Sequence, residues 1–116
     1  MWVYRIEHKQ YGYGPYTAVD IADAVAYHFE DELSDVFEKH PTPWMEGLEF
    51  DTSMHCGFTS KKQMQDWFAP HHVKYFEDNE YYVYKFFVLK KYVNEGCKQC
   101  VFRRDCALFS YRTTYH

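Results

Sequence analysis

Glu80-Tyr81-Tyr82-Val83-Tyr84-Lys85-Phe86-Phe87-Val88-Leu89 is the stretch on which the fold turns. Its Tyr, Val and Phe residues suit a pleated, half-buried surface, so it reads as a strand. Tyr82, Tyr84 and Phe86 fall on one face, and Tyr81, Val83 and Phe87 on the other. Large apolar side chains on both faces require cover on both, which places this strand centrally in its sheet.

Upstream of it, Pro70 suits the first turn of a short helix, His71 to Asp78, with Asn79 as a left-handed terminator. Before that, Cys56-Gly57-Phe58-Thr59 leads into Ser60, which with Gln63 predicts a capping box for a short helix ending near Trp67-Phe68. Downstream, Lys90 to Gly96 reads as a connection, and Gln99 to Arg103 and Ala107 to Thr113 as two closing strands. Trp2 to His8 alternates, with Trp2, Tyr4 and Ile6 opposite Val3, Arg5 and Glu7, as a first strand does.

Between these regions lie a tyrosine-rich loop and a helix. Tyr11-Gly12-Tyr13-Gly14-Pro15-Tyr16 is punctuated by its glycines and proline. Thr17 is placed to cap a helix over residues 18 to 38, where Val19, Ala22, Val25, Ala26, Phe29, Leu33 and Val36 recur at three- and four-residue steps. Pro41-Thr42-Pro43 ends it, and residues 44 to 55 read as a long loop with a short strand. The expected fold is therefore α+β: a small curved mixed or antiparallel sheet with one long helix and two short helices.

The chain has 116 residues, of which 47% are hydrophobic and 22% aromatic, with Tyr 12, Phe 10 and Trp 3. That length is one compact domain, residues 1 to 116, and the aromatic content excludes a disordered chain. The longest apolar run, Phe86-Phe87-Val88-Leu89, is far short of a membrane span. Met1-Trp2-Val3-Tyr4-Arg5-Ile6-Glu7 lacks the pattern of a signal peptide, so the expectation is a cytoplasmic protein with free thiols. A net charge of -4 with no basic run longer than two residues argues against non-specific nucleic-acid binding.

Several residue groups could carry chemistry. Cys97-x-x-Cys100 and Cys106, completed by Cys56 or His55, would make a tetrahedral zinc set, but the second pair of a zinc ribbon is missing and Cys100 sits in an expected strand. No metal is therefore expected. Gly12-Tyr13-Gly14-Pro15 lacks the lysine of a phosphate-binding loop and reads as a turn. No Gly-x-Ser-x-Gly elbow or His-Glu-x-x-His helix is present.

A scattered pattern is more specific. It comprises Tyr4-Arg5-Ile6-Glu7-His8, Gly14-Pro15-Tyr16, His40-Pro41-x-Pro43, and Cys56-Gly57-Phe58-Thr59-Ser60 with Gln63 and Trp67-Phe68. Tyr84-x-x-x-Val88 and Gly96-x-x-Gln99-x-x-Phe102 complete it. Together these span nearly the whole chain and resemble a family of small phage and prophage proteins. More distantly, the layout resembles the mono-ADP-ribosyltransferase fold. That resemblance implies Arg5, Thr59, Ser60 and Tyr16 at an NAD or ADP-ribose-like nucleotide, and Gln99 where the fold carries its catalytic Glu. A glutamine supplies no negative charge to a developing cation, so transfer would need a displaced acid such as Glu95 or Glu7. The same residues also have a purely structural reading, with Arg5 on a half-exposed strand, Ser60 capping a helix and Gln99 an ordinary strand residue.

Three functions follow as expectations. The first is a phage accessory protein with an ADP-ribosyltransferase-like scaffold, binding a nucleotide-like ligand or a host protein. The second is an inhibitor of a bacterial defence or host enzyme, anti-CRISPR-like, anchored by loop aromatics such as Tyr11, Tyr13, Tyr16 and Trp44. The third is active ADP-ribosyl transfer.

Overall fold

A computed structural model describes residues 1–10, 12, 14, 43–49 and 53–116, with only the backbone for His71 and Tyr75. The tyrosine loop at Tyr11, Tyr13 and Tyr16, the Thr17 cap and the helix expected over 18 to 38 lie outside the described residues.

The elements in chain order are β1 (Trp2–His8), β2 (His55–Gly57), α1 (Lys61–Trp67), α2 (Pro70–Asp78), β3 (Tyr81–Phe87), β4 (Val93–Glu95), β5 (Cys100–Phe102) and β6 (Phe109–Arg112). They form two three-stranded antiparallel sheets, ordered β1-β3-β6 and β2-β5-β4. This corrects the α+β expectation of one sheet: the described residues are mainly β, in two small sheets with two short helices. The physical reason is pairing: β2, β4 and β5 pair only with one another among the described residues, and a 3-10 turn at Arg104–Cys106 carries the chain from β5 back to β6 in the first sheet.

β3 lies at the centre of the first sheet, between β1 and β6. Trp2 opposes Phe87 and His8 opposes Tyr81 in the β1 pairing, while Phe87 opposes Phe109 in the β6 pairing. Both faces of β3 are covered, in different places. Val83 joins Ile6, Met64, Phe68 and Phe76 in a core under the helices, and Phe86 joins Val3, Val88, Cys100 and Phe102 in a core between the sheets.

The sheets meet where Tyr4 and Phe58 exchange two backbone hydrogen bonds of 2.7 Å. Gly57 makes that approach possible. A Cβ there would lie 2.7 Å from Val3 Cγ1, 2.9 Å from the Tyr4 carbonyl oxygen and 3.0 Å from the Phe102 ring. Any larger residue would push the strands apart.

The short helices follow from local chemistry. The Ser60 hydroxyl accepts from the Gln63 N–H at 3.1 Å and caps α1. The reciprocal half of the expected box is displaced by one residue: Gln63 Oε1 accepts from the Thr59 N–H at 3.0 Å and its hydroxyl at 3.1 Å. At the start of α2, His72 Nδ1 accepts from the Ala69 N–H at 3.1 Å. The left-handed residue after α2 is Glu80, with φ 67°, and not Asn79, with φ -108°. Tyr115 closes the helical core by donating its hydroxyl to the Phe68 carbonyl at 2.7 Å.

Two strands depart from the sequence reading. The Lys90 to Gly96 connection contains β4, which pairs with β5 as a hairpin closed by the Gly96 N–H donating to the Gln99 carbonyl at 2.8 Å. The strand expected over Ala107 to Thr113 is confined to Phe109–Arg112.

Candidate functional site: a charged cavity on the first sheet

Period-two alternation sends Val3, Arg5 and Glu7 to the face of β1 that looks toward the second sheet. Val3 continues the apolar core, but the next two positions bring charge into the interior. Arg5 is 9% exposed and Glu7 4%. Two such groups require partners when buried, and each has them.

Arg5 Nε donates to Glu7 Oε2 at 3.0 Å, and its Nη1 donates to the Cys56 carbonyl at 2.9 Å. Arg104, from the turn after β5, donates Nη2 to Glu7 Oε1 at 2.7 Å and Nε to Oε2 at 3.1 Å. One carboxylate thus holds two guanidinium groups, the second in a bidentate fork. Gly14 lets the chain pass close, since a Cβ there would stand 3.1 Å from Arg5 Nη2. Burial pushes the Arg5 pKa down and Glu7 works against that shift, while the Glu7 hydrogen bonds push Arg104 up. Both stay charged, as arginine does in proteins.

His55, on β2, completes this end of the interior. Its Nδ1 is buried with no hydrogen-bond partner, and burial, reinforced by Arg5 and Arg104, lowers its pKa. A neutral imidazole at neutral pH is the result.

Beside the cluster a cavity of about 300 Å³ opens, lined by Glu7, His8, Lys9, Gln10, Gly12, Tyr84, Phe86, Arg104 and Ser110. Arg104 lies over the Phe86 ring at 5.2 Å. His8 is tied at the rim, its Nδ1 accepting from the Gln10 N–H at 3.1 Å and its Nε2 3.9 Å from Glu80. Gly12, one of the two described residues of the tyrosine-rich stretch, lines the cavity.

Of the residues singled out by sequence, Glu7 and His55 join this cluster, and so does Arg5. Its expected half-exposed position is corrected: it is buried, because Glu7 and the Cys56 carbonyl take its donors. Thr59 and Ser60 are occupied at the start of α1 and line no part of the cavity. Gln99 is buried in the β4–β5 turn, and Glu95 is exposed on β4. Neither lines the cavity, so the three positions carried over from the ADP-ribosyltransferase layout do not form one cleft there. Tyr16 lies outside the described residues.

The cysteines are also dispersed. Cys97 is exposed, Cys100 buried, and Cys56 and Cys106 half-buried, all as free thiols. Cys56 opposes Val101 while Cys100 opposes Gly57, so the two side chains leave opposite faces of their sheet. Among the described residues no three His, Cys, Asp or Glu side chains converge as a metal site. Burial pushes the Cys56 thiol up to about 11 and raises Cys100 further.

The residue that sequence reading missed is Arg104, which lies 97 positions from the Glu7 it grips. The visible signal was the Arg5, Glu7 pair, two apart on one strand face.

No helix among the described residues is long and apolar enough to cross a membrane. No curated protein and no solved structure matches the chain, and nothing supports the ADP-ribosyltransferase resemblance. The resemblance to small phage proteins is supported by a family model that covers the same extent of the chain. That model, described as the bacteriophage T4 Y00F protein, matches residues 1–115, and the chain belongs to this phage family.

Proposed function

We propose that this phage protein binds a small phosphate-bearing, nucleotide-like anion in the cavity formed by the first sheet, the residues after β1 and Arg104. The observation that carries the reading is the surplus of positive charge there. Glu7 is shared by Arg5 and Arg104, so one of those two charges is uncompensated within the cluster. Arg104 spends Nε and Nη2 on Glu7, which leaves its Nη1 edge free among the described residues, and Lys9 adds a second cation at the wall. A guanidinium edge suits phosphate oxygens. Tyr84 offers a ring, and Ser110 a hydroxyl, to the rest of such a ligand.

Binding fits these residues better than ADP-ribosyl transfer. Both Glu7 oxygens are engaged, and Glu95 stands on the other sheet, so neither carboxylate is placed at the cavity to stabilise a developing cation.

Thermal unfolding with adenosine 5′-monophosphate, ADP-ribose or NAD tests the reading. A ligand at a hundredfold excess over its Kd adds about 2.7 kcal/mol to stability. Lys9→Glu should weaken the effect while leaving the unliganded protein intact. Labelled NAD incubated with bacterial lysate should leave no labelled acceptor. Absence of any shift at millimolar ligand overturns the binding reading, and a labelled acceptor overturns the restriction to binding.

A further inference from the structure

The face of the first sheet turned away from the cavity is covered at one end only. Ile6 and Val83 pack under the helices. At the other end Trp2, Phe87, Phe109 and Tyr111 form a continuous aromatic cluster. Trp2 meets Phe87 edge-on at 5.2 Å and Tyr111 at 6.1 Å, and Phe87 meets Phe109 at 6.3 Å. Phe109 is 56% and Tyr111 51% exposed, and Leu89 and Leu108 beside them are exposed too.

This cluster borders an open edge. All four residues of β6 are exposed, and among the described residues no strand pairs with its outer side. Alternate backbone N–H and C=O groups there are available to another strand.

The charge around the edge has one sign. Residues 81 to 94 and 106 to 116 contain no Asp or Glu, yet they supply Lys85, Lys90, Lys91 and Arg112 in a chain whose net charge is -4. Lysines often guard an edge strand against aggregation, but a guarded edge does not also display four aromatic rings.

We propose that the outer edge of β6 accepts an extended, acidic segment of another protein by strand addition. β6 presents Phe109 and Tyr111 on one face and Ser110 and Arg112 on the other. The complementary strand alternates in the same way, with apolar side chains against the aromatic face and carboxylates against Arg112. Single-stranded nucleic acid fits this surface less well. Lys85 covers the Trp2 ring at 4.7 Å, and the rings meet edge-on or tilted, which leaves few open faces for bases to stack on.

The test uses the full chain and three probes: a short peptide alternating Val and Glu, the same peptide with Lys for Glu, and oligothymidine. Amide shifts are followed at Phe109 and Tyr111 for the edge and at Lys9 and Gly12 for the cavity. The Val-Glu peptide should move the β6 amides and leave those at the cavity unmoved. Arg112→Glu, an exposed change whose fold is checked by circular dichroism, should weaken that peptide by about tenfold. Phe109→Asp should abolish binding. Equal response to the Val-Lys peptide, oligothymidine binding at β6 in preference to the Val-Glu peptide, or self-association of the wild-type chain through β6 would each overturn the proposal. These results leave the cavity reading untouched, because its reporters are separate.

Discussion

The two ends of the space between the sheets are built by the same strands and could hardly differ more. At one end Val3, Phe86, Val88, Cys100 and Phe102 pack with no polar side chain among them. At the other, two residues further along β1, Arg5 and Glu7 are buried with Arg104 and His55 beside them. The apolar end follows the hydrophobic effect and stabilises the sandwich. The charged end does not: desolvating a guanidinium and a carboxylate costs several kcal/mol per ion, which their mutual attraction at best offsets. A fold seeking only stability would have carried the apolar pattern through, so the charged end is where function is to be sought.

Substitutions at the two ends can break this contrast. Phe102→Ala at the apolar end should cost about 4 kcal/mol in urea unfolding, because Phe102 is fully buried and its cavity cannot collapse between two sheets. Glu7→Gln should cost about 3 kcal/mol, since it strands the buried Arg5 charge. The double change Arg5→Met with Glu7→Leu should restore most of that stability while abolishing ligand binding. If the double variant is as unstable as Glu7→Gln, the charged end is structural and the contrast fails. Arg104→Gln should cost only about 1 kcal/mol, because that side chain is 39% exposed and solvent screens its pairing with Glu7.

Smaller effects sharpen the picture. His55 is held below its usual 6.5 in the folded state, so the unfolded chain binds the proton more readily. Its contribution to stability is therefore complete above the unfolded value and declines as pH falls below it. Wild type minus His55→Gln, compared by melting temperature between about pH 7 and pH 5, should isolate that decline. Thiol labelling should give the mildest contrast: Cys97 reacts in the native protein, whereas Cys56, with its thiol at about 11, and Cys100 react only on unfolding.

How far the sequence reached follows from the range of each signal. β1, β3 and the Ser60 cap were legible because alternation over seven residues and a cap with its partner three positions on are local patterns. β5 lies inside the strand read over Gln99 to Arg103, but β2 and β4 have three residues each, too few for alternation to show, and so the second sheet went unread as a sheet. Gly57 shows in the sequence only as part of the stretch that leads into Ser60, although its role is to let two sheets touch, a contact with no local trace. Arg5 and Glu7 were visible as a pair, but their burial depended on Arg104 from the far end of the chain. Thr59 and Ser60 matched a motif in type, yet their hydrogen bonds are spent on starting a helix.

The bridge between Tyr4 and Phe58 also makes the molecule's cooperativity measurable. Among the described residues it is the one place where backbone joins the two sheets, through two reciprocal hydrogen bonds. Amide exchange at Tyr4 and Phe58 therefore gauges the free energy of parting the sheets, while exchange within central β3 gauges loss of the first sheet itself. Equal protection at both places marks a single folding unit. Faster exchange at the bridge marks two, with the Arg5 contact to the Cys56 carbonyl lost as the sheets part.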